Sequence, residues 1–280
     1  MSSLKIPVLM YHEVAVESAI DAVAKEIGSS WITLRKDFKN QINYLSKNGY
    51  TSITSDQLVN YISGQSESNG MPLKPVLITF DDGFSGNYEH AFPILQEHDM
   101  SATFFITINN IGQNLMLTWD QIREMSNNSM SIQSHTLTHP LFSCLDFKNT
   151  EKEIVDSKQI IQDNIGKAVN YISLPNGDFN KHYFEIVSDN GFRGGFSSIY
   201  GFNGKGTDPF LLRRIDIRKN IELSQYHALL DNKSFFSRWT LCRSFLKRYM
   251  AKLVSKKVYH GIYKAYHQKK RNRKDVVPPR

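Results

Sequence analysis

The chain has only two cysteines in 280 residues, Cys144 and Cys242, and they stand at no metal-binding or redox spacing. That excludes a disulfide framework and predicts reduced or buried thiols, as in a cytoplasmic compartment. Long apolar runs are missing as well. The one nearest the start, Ile6 to Tyr11, is too short to cross a bilayer, and the first residues lack the charged region, apolar stretch and cleavage site of a secretory signal. Export by that route is therefore not expected. Acidic residues are scarce in one place only. Residues 232–280 hold 15 Lys or Arg and a single acid, Asp275, whereas residues 1–231 hold 19 basic and 26 acidic residues. A mildly acidic body with a basic tail points to an anionic partner.

What is present is enough for a large core, with 40% hydrophobic and 12% aromatic residues. Apolar Leu34, Phe38, Ile42 and Leu45 recur at helical spacing and stop at Asn48-Gly49; Ser55 is expected to cap a second helix, and the polar segment Ser63 to Pro75 reads as a surface loop. The run Val76 to Phe80 reads as a buried strand, followed by a helix through Ala91, Ile94 and Leu95 and a strand from Ala102 to Thr107. Thr118 caps the next helix, through Trp119, Ile122 and Met125. Beyond it come a strand in "MSIQSH", a helix from about Asn149 to Ile165 closed by Gly166, a strand Val169 to Leu174, a helix near Tyr183 to Ser188 and a strand near Gly194 to Ile199. Strands alternating with helices predict an α/β fold with a parallel sheet, open or closed into a barrel.

Two stretches carry chemistry. In "TFDDG" the carboxylates Asp81 and Asp82 stand where the buried strand ends and Gly83 begins a turn. Neighbouring side chains of a regular strand point to opposite faces, so the pair can share a pocket only where the backbone bends. In "SHTLTHP", His135 and His139 lie four apart and Pro140 follows, which predicts an extended His139 on a strand-end loop. Two imidazoles at this spacing can reach one divalent ion, with a carboxylate as third ligand. Thr136 follows His135, so the glutamate base of H-E-x-x-H metalloproteases is missing. Both stretches stand at the exits of predicted strands, where α/β folds keep their sites.

At these motifs the chain resembles the polysaccharide deacetylase family (NodB homology, carbohydrate esterase family 4), and "IPVLMYHEV" with "YISLPNGDFN" resembles its poly-N-acetylglucosamine deacetylase branch. The resemblance covers about Ile6 to Asn220. It implies a distorted (β/α) barrel of about seven parallel strands over residues 1–231, and a divalent cofactor, Zn2+ first, with Co2+ or Ni2+ as alternatives. It also implies N-deacetylation of an amino-sugar polysaccharide; without an export signal, a lipid-linked oligosaccharide precursor made inside the cell is the more expected substrate. Asp82, His135 and His139 match the family's metal ligands and Asp81 its catalytic base. The late-motif histidine of most members is absent from "PFLLRRIDIRKN"; His12 of "MYH" matches the acid proposed for this branch. Pro175 and Gly177 match the third motif, and the backbone N–H of Asn176 matches its oxyanion donor. The arginine of that motif is missing, and Arg213 or Arg214 is the candidate to replace it, with Arg214 also entered as a substrate-side residue. Asp178 reads as a turn residue.

From Phe235 to Tyr266 apolar residues recur at three- or four-residue steps among Lys and Arg, broken near Gly261. This predicts a basic amphipathic helix in residues 232–280, lying on an anionic membrane or packed on the barrel, with "KKRNRK", Lys269 to Lys274, disordered. No nucleic acid is expected as partner, since no binding motif accompanies the charge. Two other readings compete: a non-catalytic glycan-binding or membrane-tethering protein that keeps the fold, and a deformylase of a lipid-linked amino sugar.

Overall fold

The computed structural model describes residues 4–66 and 70–253. Seven parallel strands close on themselves: β1 (Ile6–Tyr11), β2 (Pro75–Phe80), β3 (Thr103–Ile106), β4 (Ser131–Ser134), β5 (Tyr171–Ser173), β6 (Gly194–Tyr200) and β7 (Leu212–Asp216). Each pairs with the next in chain order, and β7 pairs with β1, so the predicted barrel is present. Two short strands extend it at its margins, Thr51–Ser52 beside β2 and Phe202–Asn203 beside β1. Glu13–Ala15 and Ile32–Leu34 form a separate parallel pair just past β1.

Closure of the sheet explains why the strands are oily on both sides. Outward residues such as Leu9, Ile78, Phe80, Phe104 and Ile132 pack under the surrounding helices, and inward residues such as Val8, Leu77, Phe105, Phe196 and Leu212 pack against Leu58 and Tyr61 of helix Ser55–Ile62. Because side chains alternate, the inward row can be followed along each strand. It changes from apolar to polar towards the carboxyl end: Ile6, Val8, Met10, His12; Leu77, Thr79, Asp81; Tyr171, Ser173, Pro175; Leu212, Arg214, Asp216. The lower barrel is core and its mouth is chemistry, as in other (β/α) barrels.

The helices follow the predicted pattern with local corrections. Arg35–Lys47, Trp119–Asn127, Phe147–Ile165 and Tyr183–Asp189 are present, and Gly166 closes the third of these with φ 67°. Ser55 is not the cap of its helix. Thr54 is, in a reciprocal capping box with Gln57, which leaves the Ser55 hydroxyl buried against Thr103 Oγ1 at 3.1 Å. The helix through Ile94 is entered by a π-turn over Asn87–Ala91. Neither cysteine is buried; both are exposed and form no disulfide. Strand β7 was not foreseen, because a register irregularity between Leu212 and Arg214 disturbs its alternation.

The division between two compact units falls after Ser237. Helix Phe235–Leu253 begins the basic segment. The predicted break near Gly261 and the run Lys269 to Lys274 lie outside the described residues.

Candidate metal centre and active site

The bend that the adjacent aspartates require is at Asp82, whose φ is 75°, followed by Gly83 at 80°. A Cβ on Gly83 would sit 3.1 Å from Ile106 Cδ1, so the tight turn against β3 favours glycine twice over. Asp81 continues the inward row of β2, and Asp82 swings out of that row towards the loop after β4.

That loop brings both histidines to Asp82. His135 Nε2 lies 3.4 Å and His139 Nε2 3.5 Å from Asp82 Oδ1. The three residues each offer a ligand atom within 4.8 Å of one another, and among the described residues they are the only such cluster of His, Cys, Asp or Glu. His139 is not extended as its proline neighbour predicts: its φ is 58°. The left-handed turn there, with another at Thr136 (φ 69°), folds the loop back so that two imidazoles four residues apart face one point. Asp82, Thr136, His139 and Asn176 all lie at this rim, and strain of this kind concentrates at functional sites.

Hydrogen bonding fixes which nitrogen of His135 is free. Its Nδ1 is 2.8 Å from the Ser173 carbonyl, which can only accept, so Nδ1 carries the proton and Nε2 presents its lone pair to the cluster. One carboxylate and two imidazoles form a donor set suited to zinc and its neighbours. Burial pushes the Asp82 carboxyl up, yet the nearness of His135 and His139 outweighs it and holds it well below the carboxylate range. Burial lowers His139 to about 4, against the pull of Asp82, so its imidazole is neutral and able to ligate.

Asp81 is buried, with Arg214 clamped on it through two nitrogens, at 2.7 Å to Oδ1 and 2.8 Å to Oδ2. Ser173 Oγ adds a bond to Oδ2 at 3.0 Å. Burial raises the Asp81 carboxyl, but the Arg214 guanidinium and His135 together bring it below its ordinary value. Arg214 is 1% exposed, its Nε is spent on the Ser197 carbonyl at 2.9 Å, and it is buried behind Asp81 rather than set on an exposed, substrate-side surface. Its neighbour Arg213 points outward and is exposed. The guanidinium that the third motif lacks thus reaches Asp81 from β7.

His12 stands at the exit of β1, half-buried, its ring 4.5 Å from that of Trp31. It is among the groups whose proximity lowers both aspartates, so it lies close to them at the mouth. Its carbonyl accepts from Asn87 Nδ2 at 2.6 Å, while its Nδ1 is buried without a hydrogen-bond partner. Pro175 is buried and Asn176 exposed, on the turn that follows Ser173. Asp178 is more than a turn residue. Its Oδ2 accepts from the Ser143 N–H at 2.7 Å and ties this turn to the segment beyond His139. Sequence reading missed Glu153, whose carboxylate binds the histidine loop from helix Phe147–Ile165.

The polysaccharide deacetylase family model matches residues 68–195, which hold both motifs. Residues 68–195 are thus similar to a polysaccharide deacetylase domain. Among its relatives, the inferred polysaccharide deacetylase YxkH of Bacillus subtilis is 28% identical over 228 residues, 81% of this chain and 77% of that protein. The poly-beta-1,6-N-acetyl-D-glucosamine N-deacetylase of Staphylococcus epidermidis is 27% identical, over 68% of this chain and 71% of its own. In structure, the deacetylase PplD of Streptococcus pyogenes, solved with acetate, superimposes with a TM-score of 0.71 at 26% identity, covering 79% of this chain and 96% of PplD. IcaB of Ammonifex degensii shares the fold at a TM-score of 0.66 and 24% identity, over 81% and 95%.

Proposed function

We propose that this chain is a polysaccharide deacetylase family member that hydrolyses N-acetyl groups of an amino-sugar glycan, with poly-N-acetylglucosamine as the first substrate to test. The observation that carries the reading is the meeting of Asp82, His135 and His139 beside a base already paired with an arginine. Asp82 Oδ1 and the Nε2 atoms of both histidines would hold the divalent ion, Zn2+ first and Co2+ or Ni2+ as alternatives. When bound, such an ion supplies a Lewis acid that acidifies water and polarises a carbonyl.

The rest falls to the chain's own side chains. A carboxylate offers about four acceptor positions, and on Asp81 the Arg214 and Ser173 bonds leave Oδ1 with capacity to spare. Asp81 is ionised at neutral pH and takes a proton from the attacking water, whose oxygen bonds to the acetyl carbon. The Asn176 N–H donates to the carbonyl oxygen as charge develops. The C–N bond then breaks with a proton from His12 to the amine nitrogen, because an amide anion leaves poorly. Acetate and a free amine result.

The missing motif arginine and the missing late-motif histidine favour a non-catalytic reading, and Arg214 on Asp81 answers the first of them. We further propose that the basic tail lies on an anionic membrane at its cytoplasmic face, where a lipid-linked precursor would be met. Exposed Trp239 and Leu241 beside Arg238 and Arg243 support this. The test is proton NMR of the small acid released from β-1,6-linked N-acetylglucosamine oligomers, with zinc or cobalt added. Acetate is expected; formate from a formylated amino sugar, with no acetate from any oligomer, would replace this reading with deformylation.

A further inference from the structure

The loop between the two ligand histidines is held in a conformation that its residues resist. Thr136 is β-branched and lies at φ 69°, and His139 lies at 58°; such residues stay left-handed only when their surroundings over-determine them. Backbone bonds from the loop after β3 supply part of the hold, Ile108 N to Thr136 O at 3.2 Å and Asn109 N to Leu137 O at 2.9 Å. The charged part comes from Glu153. Its Oε2 accepts from the N–H groups of Leu137 and Thr138, each at 2.9 Å, and its Oε1 from the Thr138 hydroxyl at 2.6 Å. Both oxygens act as acceptors, as only the ionised carboxylate does with full strength.

Glu153 is buried, and no Lys or Arg pairs with it among the described residues. An acid of this kind is costly to bury unless its hydrogen bonds compensate, and here each bond goes to Leu137 or Thr138, two of the three residues lying between His135 and His139. One helical turn on, Ser157 Oγ meets Ser134 Oγ at 2.7 Å, so a single face of helix Phe147–Ile165 grips the loop at both its start and its middle.

We propose that Glu153 is a positioning residue for the metal centre: by anchoring Leu137 and Thr138 it keeps His135 and His139 turned to one point with Asp82. The inference rests on the reading of that cluster as the metal site. It distinguishes Glu153 from an acid that merely stabilises the helix, because its loss must then change how the ion is held.

Cobalt affinity, measured by competition with a chromophoric chelator, and the visible absorption of the cobalt-loaded protein test this. The set is wild type, Glu153→Gln, Glu153→Asp, Thr138→Val and Glu151→Gln, the last an exposed acid on the same helix. Glu153→Gln, which sets an amide N–H against loop donors, is expected to weaken cobalt binding about 10- to 100-fold and to alter the absorption bands. Glu153→Asp should recover part of the loss. Thr138→Val removes one bond of the set and should cost a few-fold; it keeps the test open if Glu153→Gln does not fold. Glu151→Gln should match wild type. Folded Glu153→Gln and Thr138→Val proteins with wild-type affinity and spectrum would overturn the role of Glu153, whereas a wild type that binds no cobalt would overturn the metal reading beneath it.

Discussion

On one side of the barrel mouth Asp81, Arg214, Ser173 and the Nδ1 of His135 bond to one another or to neighbouring carbonyls. On the other, His12 Nδ1, Glu13 Oε2, Asn87 Oδ1 and Asp216 Oδ1 are buried with no such partner. Strand β7 contributes to both, Arg214 to the first and Asp216 to the second. Buried polar groups are nearly always satisfied, and exceptions cluster where a fold serves something other than stability. The side of the proposed base is pre-organised; the side of the proposed acid holds polar atoms that folding leaves unspent. The two buried acids Asp81 and Glu13 make the same point in charge. Asp81, with Arg214, is held down as a carboxylate, whereas burial, reinforced by Glu89 and opposed by the Gly86 N–H, pushes Glu13 up to about 8.

Breaking the satisfied side should cost most. Arg214→Met leaves Asp81 buried and unpaired, and is expected to lower stability by about 3–5 kcal/mol, read by urea unfolding. Adding Asp81→Asn to it should restore most of that stability without activity. An additive loss in the double variant would show that the pair is not a unit.

The acid side predicts the reverse pattern. His12→Gln should reduce kcat by about 10²- to 10⁴-fold while the melting temperature stays close to wild type. Wild-type turnover would remove His12 as the acid.

Glu13 sharpens the contrast through pH. Its folded pKa is raised, so the folded protein keeps a proton that the unfolded chain releases above its ordinary 4.5. The stability it contributes is fully present below that value and is lost as pH rises towards and through about 8. Glu13→Gln cannot lose a proton there. Between pH 5 and pH 8 its melting temperature should gain on wild type by about 5 °C; parallel curves would show that Glu13 does not titrate in this window. The smallest effect is expected at Asp178→Ala, about 1 kcal/mol, from loss of the bond to Ser143, with metal affinity unchanged.

The barrel and the meeting of Asp82, His135 and His139 were legible because both depend on strand exits: "TFDDG" and "SHTLTHP" end oily runs, and an exit is where side chains can converge. What remained hidden has specific causes. Arg213 and Arg214 cannot be told apart without the register irregularity that sets which one faces inward. The rule for residues before proline failed at His139, because tertiary bonds from Thr136 and Glu153 outweigh a local preference. Glu153 carried a signal that went unused: with Thr150, Ile154, Ser157 and Ile161 it lies in the buried stripe of its helix, where an acid must have a reason to be.

Metal content after zinc loading of wild type, Asp81→Asn and Asp82→Ala, measured alongside acetate release on the same samples, tests the central division of labour most directly. Wild type should hold zinc and release acetate, Asp81→Asn should hold zinc and release none, and Asp82→Ala should do neither. Zinc retained by Asp82→Ala, or lost equally from both variants, would contradict the account.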